Sequence, residues 1–134
     1  MIFTSIKCSI KYYVFYHITE PLEKNGRLTG IKAVVATALN IKPVMGSTPE
    51  GTICQLGQAR GIKKALVKMV EQVAEDVKNS KDKILAIAHC NCRDRAEAVK
   101  NMILEKINVK DVIILDTAGI SSMYAADGGV IVVV

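Results

Sequence analysis

The chain has 134 residues, 50% of them hydrophobic and 23% charged. That is enough for one domain burying roughly two thirds of its unfolded surface, and too apolar for a disordered polar tract. Its longest apolar stretches, 33–39 and 130–134, fall far short of the ~18 residues a membrane span needs, and Lys7 and Lys11 interrupt the N-terminus before a secretory core can form, so a cytoplasmic protein without a membrane span is expected. The net charge of +5 raises nucleic acid as a partner, but with 4% aromatic residues and no tryptophan there is little to stack on bases, and none is expected. The positive charge gathers in the first 45 residues, where Lys7, Lys11, Lys24, Arg27, Lys32 and Lys42 face only Glu20 and Glu23. Cysteines 8, 54, 90 and 92 follow no framework spacing, which favours reduced thiols.

In chain order, 11–18 (KYYVFYHI) is β-branched and aromatic without a breaker and predicts a strand. Gly26 and Gly30 flank Arg27 in a loop, and 31–39 predicts a short apolar helix. Segments 42–46 and 51–56 predict a hairpin turning on Pro49 and Gly51. Ile62, Leu66, Met69, Val73 and Val77 line one side of a helix predicted over 58–79. Residues 83–88 predict a buried strand. A helix over 94–107 follows, capped by Asn91 or Asp94, with Ala96, Val99, Ile103 and Ile107 inside. Residues 112–115 predict another buried strand and 130–134 a last one. Strand, helix and strand from 83 to 116 form a βαβ unit, so the expectation is a two-layer α/β domain spanning 1–134, with a mixed sheet of about six strands and helices mainly on one face.

Three constellations carry chemistry. His89-Cys90-Asn91-Cys92 puts an imidazole and two thiols at a strand end, readable as part of a small cysteine-dependent enzyme or as a loop with incidental thiols; four zinc ligands are not in sight, and no metal is expected. The helix over 58–79 opens with Arg60, Lys63, Lys64 and Lys68 and closes with Glu71, Glu75 and Asp76, opposite to what its dipole favours. Arg60, Lys63 and Lys64 therefore suggest a docking face for an acidic partner, protein or nucleic acid, against the plainer reading of a solvated face. Asn25-Gly26-Arg27 and Asp127-Gly128-Gly129 are loops whose glycines permit close backbone approach, to a ligand or simply within a turn. No dinucleotide fingerprint, P-loop or paired-carboxylate motif is present, which argues against a nucleotide enzyme.

The stretch EPLEKNGRLTGIKAVVATALNIKPVM resembles the signature of the DegV family: a leucine-containing turn, a Gly-Gly-Arg-Ile-like element, a short apolar helix and Leu-x-Ile-Lys-Pro-Ile/Val. GQARGIKKAL resembles the family's arginine-containing start of a long helix, and AGISSMYAADGGVIVVV its C-terminal segment. The resemblance implies a bacterial fatty-acid-binding protein, a non-catalytic carrier that presents one fatty acid to a separate fatty acid kinase and needs no other cofactor. It implies only the C-terminal lipid-binding domain, since members are about twice this long, so the N-terminal domain is absent and either that domain or a homodimer would complete the site. Gly26, Arg27, Asp127, Gly128 and Gly129 would then bind ligand, and Arg60, Lys63 and Lys64 would meet the kinase. Where many members carry His-x-Gly-Pro-Gly, this chain has Asp127-Gly128-Gly129, similar to a subgroup ending Tyr-Ala-x-Asp-Gly-Gly.

Overall fold

Period-two alternation and helical spacing set out six strands and two long helices among the described residues. The computed structural model describes residues 12–15, 38–119, 122 and 125–134. Strands β1 (Tyr12–Phe15), β2 (Ile41–Ser47) and β3 (Ile53–Arg60) are followed by helix α1 (Ile62–Asp76). A single 3-10 turn, Ser80–Asp82, leads into β4 (Ile84–His89), helix α2 (Arg93–Lys106), β5 (Asp111–Asp116) and β6 (Val130–Val133). The sheet order is β3-β2-β1-β6-β4-β5. β4 and β5 are parallel across α2, and the other neighbours are antiparallel. This is the expected mixed six-stranded sheet with helices on one face. Residues 31–37 of the helix expected over 31–39 and the ends of the strand expected over 11–18 lie outside the described residues, as do Cys8, Gly26 and Arg27.

One core holds the two layers together. Tyr13, Val44, Leu85, Ile87, Val130 and Val132 point from the sheet toward Leu66, Met69 and Val73 of α1 and Ala96, Val99 and Ile103 of α2. These are the helical stripes legible in the sequence, and each fully buried large aliphatic side chain contributes about 1.5–3 kcal/mol. At the edge of the core the Tyr13 hydroxyl donates to Asp76 Oδ2 at 3.1 Å, while the Gln72 side-chain amide donates to Oδ1 at 3.0 Å. The hairpin turn forms as expected: the Gly51 N–H donates to the Thr48 carbonyl at 2.9 Å, and Gly51 adopts φ 87°.

Four expectations are corrected. The helix does not begin at 58: residues 58–60 extend β3 by pairing with Pro43, Lys42 and Ile41, and Gly61, at φ 85°, makes the break. Arg60 therefore ends a strand. At the other end α1 stops at Asp76, because Val77 is extended while staying buried. Neither Asn91 nor Asp94 caps α2; Cys92 occupies the N-cap without a side-chain bond, and Asp94 lies in the first turn. Finally, β4 and β5 are not buried on both faces. Ile84, Ile113 and Leu115 are 48%, 40% and 53% exposed on the face away from the helices.

Candidate functional site

Two features meet at the β4–β6 side of the sheet. The first is the face opposite the helices. Register places Ala86 beside Ile113 and Val133, and Ala88 beside Leu115 and Ile131, so this face is apolar across three strands. It continues through Val14 and Met45, which are buried yet stand outside the main core cluster. The exposed part at the β5 edge is a surface that water alone does not favour.

The second feature lies where β4 and β5 end, the edge at which open α/β sheets place their ligand crevices. Here the turn after β4 grips the loop before β6. The Cys90 N–H donates to the Gly129 carbonyl at 3.0 Å, and the Gly128 N–H donates to the Cys90 carbonyl at 2.8 Å. The Asn91 side-chain amide donates to Asp127 Oδ1 at 3.1 Å. The Cys92 thiol donates to the Gly129 carbonyl at 3.4 Å, and the Arg95 guanidinium donates to the Gly128 carbonyl. Asp127 is exposed while Gly128 and Gly129 are buried. The close approach that the glycines permit is to the chain itself: a Cβ on Gly129 would lie 2.2 Å from the Ala125 carbonyl oxygen.

The His-Cys-Asn-Cys run does not assemble a nucleophile at Cys92. Burial pushes the Cys92 thiol up, outweighing the nearby Arg95, and a protonated thiol that donates to a carbonyl is a poor attacker. His89, 3% exposed, gives its Nδ1 to the Cys92 N–H at 3.3 Å, and its Nε2 lies 3.3 Å from Asp116 Oδ1 without the alignment of a hydrogen bond. Among the described residues no three histidine, cysteine or acidic side chains converge as metal ligands. That Asn91 and Arg95 shape the 127–129 loop was not evident in the sequence: Asn91 stood out only within the 89–92 run and as a candidate cap, and Arg95 lies one helical turn into α2 and carries no motif.

The basic trio sits at the other side of the sheet. Arg60 closes β3, and Lys63 and Lys64 occupy the first turn of α1, all three exposed. That turn has no acidic residue and no side-chain cap, so the partial positive charge of the helix start adds to the lysines. Lys68 is set apart, its stem lying over Gly57 of β3. A cleft of about 280 Å³, lined by Leu39, Ile41, Gln58, Ala59 and Arg60, opens beside the trio. No helix among the described residues is long and apolar enough to cross a membrane.

A family model described as "Uncharacterised protein, DegV family" matches residues 2–134. The chain belongs to the DegV family. A DegV domain-containing protein of Clostridium perfringens is 30% identical over 108 residues, 81% of this chain and 37% of that protein. Among solved structures, a DegV family protein from Ruminococcus gnavus refined with vaccenic acid is 59% identical, with a TM-score of 0.86 over 95% of this chain and 45% of that one. The Fatty Acid Kinase (Fak) B3 protein of Streptococcus pneumoniae, loaded with linoleic acid, is 27% identical, with a TM-score of 0.77 over 93% of this chain and 44% of that one. This DegV chain thus spans less than half the length of each of these three relatives.

Proposed function

We propose that this chain is the lipid-facing half of a fatty-acid carrier. The single observation that carries the reading is the likeness, at 59% identity and a TM-score of 0.86, to a DegV protein refined with vaccenic acid. The open face of the sheet supports it, because Ile113, Leu115 and Ile84 offer an acyl tail an apolar wall. Each buried CH₂ contributes about 0.8 kcal/mol. The carboxylate meets Arg27, whose guanidinium can form a paired, charge-assisted contact, with Gly26 allowing close approach and the Asp127-Gly128-Gly129 loop alongside. A second half, from an N-terminal domain or another copy of the chain, completes the site.

The chain performs no chemistry of its own in this reading; it presents its lipid to a fatty acid kinase. Similarity to the Fak B3 protein supports that partner, and the exposed cations Arg60, Lys63 and Lys64 are the docking contacts. Titration with vaccenic acid of this chain joined to the N-terminal half of the Ruminococcus gnavus relative tests the head-group contact. Losing a charge-assisted bond costs about 1.5–3 kcal/mol, so Arg27→Ala is expected to weaken binding by about tenfold or more, and Lys24→Ala by far less. Equal affinities for the two variants remove Arg27 from the site.

A further inference from the structure

We infer that His89 is the positioning residue of the 127–129 loop, acting through the turn at residues 89–92. The ring is 3% exposed, and its Nδ1 accepts the Cys92 N–H at 3.3 Å. That acceptance leaves Nδ1 without a proton and places the ring proton on Nε2, facing the Asp116 carboxylate. Bent around the ring, the chain passes Asn91 in the left-handed region at φ 54° and enters α2 at Cys92.

The loop is held from this turn and from Arg95, one helical turn further on. Cys90 exchanges backbone bonds with Gly128 and Gly129, Asn91 holds the Asp127 carboxylate, and Cys92 holds the Gly129 carbonyl. Two of the loop positions are held where a side chain would not fit well: Gly128 is at φ 80°, and Gly129 is pressed against Ala125. A histidine that merely filled core volume could be replaced by leucine. Leucine here would fill the space, but it would leave the Cys92 N–H without its acceptor and free the turn to reshape. The consequence for the loop is independent of the ligand; the consequence for fatty-acid binding rests on the function proposed above.

Nitrogen-15 NMR of the intact chain reads the tautomer directly. The expected result is an unprotonated, hydrogen-bonded Nδ1 and a protonated Nε2 on His89; a proton on Nδ1 overturns the inference. Amide hydrogen exchange then separates positioning from bulk. His89→Asn can place its Oδ1 where Nδ1 stands and is expected to keep Gly128 and Gly129 protected, whereas His89→Leu loses about tenfold of that protection, the size of one forfeited hydrogen bond, with Val132 unchanged. Intact protection in the leucine variant, or an asparagine variant no better than leucine, refutes the role. A third readout is vaccenic acid affinity, measured with the relative's N-terminal half joined, and it is expected to follow the exchange results. If no variant and not even the unaltered chain binds the acid, the fatty-acid reading fails while the tautomer and exchange results still decide on His89.

Discussion

A Cβ on Gly129 would come within 2.2 Å of the Ala125 carbonyl oxygen, a contact with backbone that no side-chain rotation can relieve. Gly129→Ala is therefore expected to lower stability by about 1–3 kcal/mol, the usual range for overpacking, visible as a lower urea midpoint at unchanged slope. An unchanged midpoint would mean that the 125–129 segment yields freely. Tyr13 offers a test by pH. Burial, then the neighbouring Asp76 charge and hydrogen bond, push its phenol upward from an ordinary 10.0. A raised phenol keeps its proton in the fold while the unfolded chain releases it, so this contribution is complete below pH 10 and drains away above it. Tyr13→Phe should lose about 1 kcal/mol near neutrality, the net value of its bond to Asp76, and show a shallower stability loss above about pH 10. Parallel alkaline limbs for the two proteins would contradict this. The sequence marked Gly128 and Gly129 as points of close approach, but that Gly129 meets Ala125 depends on tertiary placement, which spacing does not encode.

The two helices differ in how their charges suit them. α2 has Asp94 in its first turn and Lys106 in its last, whereas α1 has no acid in its first turn and no base in its last. Lys64→Glu should then stabilise the fold by about 0.3–1 kcal/mol, raising the thermal midpoint and weakening attraction to an acidic partner. A lower midpoint would show that Lys64 makes a contact the fold needs. Helical stripes were legible because burial follows the 3.6-residue period: Leu66, Met69 and Val73, and then Ala96, Val99 and Ile103, are all inside. Boundaries were not. Gln58 to Arg60 look helical beside Ile62, but pairing with β2 claims them for a strand, and only Gly61 marks the change. β4 and β5 misled for another reason, since an unbroken apolar run reads as burial on both faces although one face here is partly exposed.

For the molecule as a whole, the decisive feature is a sheet whose second face stays apolar and partly exposed in a chain less than half as long as its DegV relatives. An apolar surface of this kind is one that water does not favour, and under the proposed function an acyl tail and a second half cover it. Resemblance in the sequence pointed to the family and to fatty acid; the open wall at Ile113 and Leu115 could not be read there, because one-sided exposure is a property of the assembled sheet. The proposed function requires that this face belong to a fatty-acid site. It is tested most directly by native mass spectrometry of the chain joined to the N-terminal half of the Ruminococcus gnavus relative, with vaccenic acid supplied. One bound fatty acid per molecule is expected, lost when Leu115→Asp places a charge on the wall. No bound acid, under conditions where the relative itself retains one, would contradict it.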